Sequence, residues 1–219
     1  RDLHSFPTRR SSDLEPVYDH SLRLYETLSS ELNFNIMLSQ RGMITLAHSE
    51  HELEINRRWA NALLMNGIEI ESLSPAQIKQ MAPALNLHSR YPVVGGFIQR
   101  RAGISRHDAV VWGYARMASA LGVDIVQNCE VTGFDIADGC ARGVRTSRGD
   151  IRCDRVAMSV AGHSSVLAAK AGLRLPITTM SLQAMVTEPV KPVLDKVVVS
   201  AAIHAYVSQS DRGEIVIRF

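Results

Sequence analysis

The chain has 219 residues, 46% of them hydrophobic, enough apolar material for a sizeable core in one or two domains. A net charge of +2 with no basic cluster past the extreme N-terminus argues against nucleic acid or an anionic membrane as partner, and no run of about 18 apolar residues is present to cross a bilayer. Three dispersed cysteines (Cys129, Cys140 and Cys153) lack zinc-ligand spacing and point to free thiols in a reducing, cytoplasmic setting.

Residues 5–14, SFPTRRSSDL, read like the translation of a sequencing adapter, and residues 1–14 are expected to be an artefact outside the packed structure. The chain is expected to be an internal piece of a longer protein, because it opens without Met and stops inside the apolar run GEIVIRF. From Asp19, a candidate N-cap, Leu22, Tyr25, Leu28 and Leu32 recur at helical spacing. Two strands are expected at 35–39 and 42–47, then a helix over 50–66 closed by Gly67. IEIESL (68–73) alternates like a strand, and Ser74-Pro75 opens a short helix to about Met81. VVGGFIQ (93–99) reads as a strand, and Ser105 begins an apolar helix that Gly122 closes. Four strands are then expected at 123–127, 130–136, 141–147 and 151–160, the last passing through Ala161-Gly162 into a helix ending at Gly172. The remainder is strand-like at 180–188, 196–202, 204–209 and 214–219. This order predicts a mixed α/β and α+β fold, in which an α/β layer is interleaved in sequence with a mainly antiparallel sheet. Trp59, Trp112 and the methionines are expected in the core.

The chemistry concentrates in RAGISRHDAVVWGYARMASALG (101–122). Ser105 and Asp108 have the spacing of an acidic capping box, which places His107 in the first helical turn. There the exposed N–H groups and the helix dipole favour a neutral imidazole, the nucleophilic form. The apolar residues at 109–121 predict a buried helix. On these residues alone, a structural histidine and a cofactor-facing one both fit. The pair Arg100-Arg101 is either surface charge or a holder of phosphate or carboxylate.

The phrases SQRGMITLAH (39–48), RYPVVGG (90–96), RAGISRHD (101–108), GVDIVQNCEVTGF (122–134), AGHSSVLA (161–168) and YVSQ (206–209) occur in the order found in one family. By them the chain resembles the beta subunits of heterotetrameric sarcosine oxidases, within the D-amino-acid-oxidase-like flavoproteins. The resemblance implies a partial FAD-dependent oxidoreductase fold that oxidises sarcosine to glycine and a one-carbon unit with release of hydrogen peroxide. It implies non-covalent FAD, FMN joined covalently to His107, and partnership with alpha, gamma and delta subunits. It also implies an FAD-domain helix at 15–33, a substrate-domain segment at 34–104, an FAD-domain segment at 105–172 and a truncated substrate-domain sheet at 173–219.

Further roles follow from the same resemblance. Val131 would place its backbone against the adenine of FAD, and Ala161 and Gly162 would form the small-residue turn beside the dinucleotide. His204 and Tyr206, alternating along a strand, would face the amine substrate. The family's Gly-rich dinucleotide fingerprint and its later Gly-rich, lysine-containing phrase do not occur in this sequence, so the piece alone is expected to be inactive. A single-flavin amine oxidase or dehydrogenase, glycine-oxidase-like or dimethylglycine-dehydrogenase-like, and a non-catalytic interaction subunit are the alternatives.

Overall fold

The computed structural model describes the backbone of residues 8–218 and the side chains of residues 15–218. The chain folds as two units. The first comprises the described residues through Leu121 together with those from Gln183 onward, and the second is Gly122–Leu182.

The first unit is built on a seven-stranded sheet. In chain order its elements are α1 (Thr8–Glu31), β1 (Met43–Ala47), α2 (Glu50–Met65), β2 (Glu71–Leu73), α3 (Pro75–Met81), β3 (Gly95–Gln99) and α4 (His107–Ala120). After the second unit come the strands Ala184–Val186, Val197–Ser200, Ala205–Gln209 and Ile215–Arg218, numbered β7 to β10. The strand order is β2-β3-β1-β8-β9-β10-β7. Every pairing is antiparallel except β1 with β8, where Met43 lies beside Val197 and Leu46 beside Ser200.

Period-two alternation assigns the two faces of this sheet. Ile44, Leu46, Ile98 and Val198 point to one face and join Ile78 of α3 and Ala82, the residue that caps it, in a core cluster. Ala47 and Phe97 point to the other and meet Leu53, Ala60 and Leu63 of α2. Ile44, Ile78 and Ile98 are wholly buried, each contributing about 1.5–3 kcal/mol relative to exposure. Ser49 caps α2 by accepting from the Glu52 amide, and Ser74 with Gln77 forms a reciprocal capping box on α3. Gly67 has φ +76, the left-handed backbone that ends α2 as expected.

The second unit holds the meander β4 (Val131–Ala137), β5 (Cys140–Thr146) and β6 (Gly149–Arg152), with α5 (Ser164–Lys170) lying against β4. Phe134 and Ala168 are its buried side chains.

Several sequence expectations need correction. Residues 35–39 form no strand; Ser39 alone makes an isolated bridge, to Ile104. Residues 123–127 and 156–160 are apolar enough for strands, but among the described residues their peptide groups join no ladder, and a strand exists only through its partner. The strands expected at 68–73 and 180–188 shrink to Glu71–Leu73 and Ala184–Val186, the stretches that do find partners. Asp19 is no N-cap: α1 begins at Thr8, and the Asp19 carboxylate instead pairs with Arg23 at 2.7 Å. Of residues 1–14, expected to lie outside the packed structure, residues 1–7 fall outside the described residues, while the backbone of residues 8–14 belongs to α1.

The α4 helix is not buried on every side. Ala109, Val110 and Gly113 are covered, whereas Val111 and Trp112 are about 60% exposed. A Cβ on Gly113 would sit 3.0 Å from Leu32 Cδ1 and 3.3 Å from the Phe34 ring, so the small residue lets α4 approach α1 and the turn after it closely. Only the face carrying these small residues makes that approach. Trp59 packs against the core as expected, but Trp112, Met65 and Met180 are exposed.

Candidate flavin-attachment site

The site forms where three short sequence phrases meet. Residues 36–42 and 102–106 run antiparallel without being regular strands. The Ser39 amide donates to the Ile104 carbonyl at 2.8 Å, and the Ile104 amide donates back at 3.0 Å. On either side, the Gly42 amide donates to the Ala102 carbonyl at 2.7 Å and the Arg106 amide to the Ile36 carbonyl at 3.3 Å. Gly103 has to be glycine here, because a Cβ would lie 2.0 Å from the Ser39 carbonyl oxygen.

The side chains of the same phrase reach outward. Arg41 donates to Ser39 Oγ at 2.7 Å and to the Gln209 carbonyl at 3.1 Å, and forms a close ion pair with Asp211. Gln209 ends β9 and is buried; its amide group donates to the Gly213 carbonyl at 2.9 Å and accepts from the Leu194 amide at 3.0 Å. Gln40 donates to Glu26 Oε1 at 2.8 Å and to the Arg101 carbonyl at 2.8 Å. Arg101 in turn grips both oxygens of Glu26 at 2.9 Å and reaches Asp19 Oδ1 at 3.3 Å. The phrases around SQRG, RAGI and YVSQ therefore converge on one cradle.

These contacts set the local electrostatics. The Gln40 amide, then the Arg101 guanidinium, holds the Glu26 carboxyl below the usual range. Arg23 first, with Arg101 assisting, does the same for Asp19. Both arginines of the 100–101 pair thus hold carboxylates of this chain, Arg100 donating to Glu71 at 2.8 Å.

At the end of the cradle stands His107, the first residue of α4 and exposed. The expected capping box does not form. The cap position falls on Arg106, which makes no side-chain capping bond. The Asp108 carboxylate has turned to the Arg106 guanidinium at 2.8 Å and the Ala109 amide at 2.9 Å, and the Arg106 contact lowers its pKa most. Among the described residues the His107 ring makes no hydrogen bond. An accessible imidazole that makes no hydrogen bond, on a fixed backbone, meets the elementary requirements of a covalent attachment point, and in this respect the residues fit a tethered flavin.

The other residues singled out from the sequence are distributed as follows. Tyr206 is half-buried in β9, between Val199 and Arg218 in the register and on the sheet face opposite Val207. His204 is not in that strand: it lies exposed in the four-residue turn between β8 and β9 with φ +48, a conformation the hairpin imposes. Tyr206, His204 and His107 all belong to the first unit. Val131 opens β4 opposite Thr146 in the second unit, where Ala161 and Gly162 form a one-turn 3-10 helix before α5. Ala161 has φ +45, and the Gly162 carbonyl accepts from Thr179 Oγ1 at 2.9 Å.

Sequence reasoning missed a pairing at the C-terminal ends of the parallel strands. His48 Nε2 lies 2.7 Å from the buried Ser200 Oγ, and its Nδ1 lies 3.1 Å from the Tyr91 carbonyl. His48 lies within the SQRGMITLAH phrase, but nothing in its spacing announces a partner 152 residues away.

A family model described as FAD dependent oxidoreductase matches residues 3–219. The chain belongs to the FAD-dependent oxidoreductase family. Within it, the chain is 50% identical over 202 residues to the sarcosine oxidase subunit beta of Rhodobacter capsulatus, covering 92% of this chain and 49% of the relative. The corresponding subunit of Rhizobium meliloti is 49% identical, with the same coverage. The chain spans about half the length of the curated relatives it matches. Among solved structures, L-proline dehydrogenase from P. horikoshii superposes with a TM-score of 0.81 at 24% identity, covering 91% of this chain and 53% of that one. The fold is thus that of an FAD-dependent oxidoreductase with a mainly antiparallel sheet, and the resemblance drawn from the six phrases agrees with the relatives. Among the described residues no helix is long and apolar enough to cross a membrane, and no cluster of metal-ligating side chains occurs.

Proposed function

We propose that this chain is part of the beta subunit of a sarcosine oxidase, oxidising sarcosine to glycine and a one-carbon unit with formation of hydrogen peroxide. The observation that carries the reading is the 50% identity, sustained over 92% of the chain, with a subunit of that name. In this reading the whole subunit binds FAD non-covalently and FMN covalently, and assembles with alpha, gamma and delta subunits. Bound flavin supplies the two-electron acceptor that no protein side chain offers.

The chain's own residues bind and orient. His107 holds FMN at a place fixed by the cradle. Val131, with the turn at Ala161 and Gly162, offers backbone to FAD, where a residue without a large side chain permits close approach. Tyr206 presents a phenol from a half-buried strand position and, with His204 at the neighbouring hairpin turn, faces the amine. The hydroxyl fixes the direction of a polar substrate while the ring excludes water beside it.

The test is the tryptic peptide HDAVVWGYAR, residues 107–116, from a full-length subunit that contains this sequence and is co-expressed with its partners. FMN mass on that peptide is the expected result. FAD mass would transfer the protein to a single-flavin amine oxidase, and an unmodified peptide with flavin held elsewhere would refute the assignment of His107.

A further inference from the structure

We propose that Arg101, clamped by Glu26 and Gln40, is a positioning residue for flavin attachment at His107. The inference rests on the proposed role of His107 and concerns what aims its imidazole. Between Arg101 and α4 the chain is fixed at four places: Arg101 to α1, Ala102 to Gly42, Ile104 to Ser39, and Arg106 to the Ile36 carbonyl. The last three are backbone-to-backbone bonds that no side-chain change removes directly. The first is made by side chains, and it is directional. Two guanidinium N–H groups meet Glu26, with Nη2 within 2.9 Å of both carboxylate oxygens, and Gln40 bridges that same carboxylate to the Arg101 carbonyl at 2.8 Å on each side.

The helix that carries Glu26 also touches the chain beyond His107. Leu28 of α1 and Leu32 just after it are buried in one cluster with Val110 of α4. α1 is thus a splint, holding the loop before His107 through Glu26 and the helix after it through Leu28, with Leu32 in the turn that follows. The apolar contact secures α4 against α1, and the Arg101 fork ties the start of the loop to the same helix. Its partners are partly solvent-exposed, with side-chain exposures of 41% for Arg101 and 29% for Glu26. A pair so exposed contributes little to stability, so the geometry of the fork is its main product. Lysine carries the same charge without the fork and cannot reproduce it.

The experiment uses the full-length subunit co-expressed with its partners, as wild type, Arg101→Gln, Arg101→Lys, and the exchange Glu26→Arg with Arg101→Glu. Covalent flavin is read as FMN mass on the peptide of residues 107–116 and as fluorescence retained after acid precipitation. Released FAD and the thermal midpoint are measured on the same samples. Misplacing the imidazole by about 1 Å should slow attachment about 10- to 100-fold in both single variants while FAD content and midpoint stay near wild type. The exchange should recover most of the attachment. Attachment at the wild-type rate in Arg101→Gln would overturn the proposal. So would a loss that FAD content and midpoint share in proportion, or an exchange variant no better than Arg101→Gln. Wild-type protein with no flavin on His107 is a separate result, and it would remove the reading on which the inference rests.

Discussion

Replacing Gly103 by alanine tests the cradle directly. The added Cβ would lie 2.0 Å from the Ser39 carbonyl oxygen, 2.7 Å from Gln40 Cα and 2.8 Å from the Ser39 carbonyl carbon. All three are backbone atoms, so no rotamer change relieves the contact; the two segments must separate. Separation by an ångström or more breaks the reciprocal Ser39–Ile104 bonds of 2.8 and 3.0 Å and weakens the Gly42–Ala102 bond of 2.7 Å. Each such bond contributes about 1 kcal/mol net, so the loss should be about 2–4 kcal/mol. Urea unfolding of the full-length subunit, comparing midpoints at constant slope, measures it. A loss below about 0.5 kcal/mol would mean that the segments are not in the contact described. Covalent FMN should fall in the same variant, because the displaced loop leads directly into His107.

Substituting Gly113→Val should destabilise by about 1–3 kcal/mol through overpacking against Leu32 and Phe34, and a thermal midpoint equal to wild type would contradict the close approach of α4. His48→Ala should cost about 1–3 kcal/mol, because it leaves the buried Ser200 hydroxyl without its partner; the check is whether Ser200→Ala in the same background recovers part of the loss. Asp19 and Glu26 have lowered pKa values in the folded chain, so their contribution is full above the ordinary carboxylate pKa and is lost as pH falls through the lowered values. Because these pairs are partly solvent-exposed, an acid titration of stability should lose only a small part of its slope in Glu26→Gln, and a large loss of slope would refute this. Residues 15–219 expressed alone should be poorly soluble, colourless and bind a hydrophobic dye, since Trp112 is 60% and Leu121 78% exposed; a monodisperse yellow preparation would contradict that expectation.

Where local pattern and tertiary demand coincide, the sequence is readable. Ser74 caps the helix it precedes, Gly67 ends one, and Ile44 and Ile98 alternate into the core they form. The reading failed where a partner decides the outcome. NIMLS and VDIVQ look like strands, yet strand formation depends on a neighbour that a linear sequence does not display. Ser105 and Asp108 have capping-box spacing, but Arg106 between them competes successfully for the carboxylate. The place of His107 at a helix start was legible. The Arg101–Glu26–Gln40 cluster was not, because its members are 14 to 75 positions apart and none has an unusual spacing.

The parallel pairing of β1 with β8 also has a kinetic consequence. Met43 and Val197 are neighbours in the sheet although roughly 150 residues separate them along the chain, and the whole second unit is made in between. During synthesis the β2-β3-β1 half, with α2 and α3 on its faces, can collapse early through local hairpins and helix contacts. Its β1 edge then waits until β8 leaves the ribosome, exposing Ile44 and the backbone groups of Met43–Ala47 meanwhile. At elongation rates of about 5–20 residues per second, that interval is on the order of ten seconds. The slowest and most aggregation-prone step of folding should therefore be the joining of β8 to β1, a step that the β4-β5-β6 meander can precede but cannot hasten.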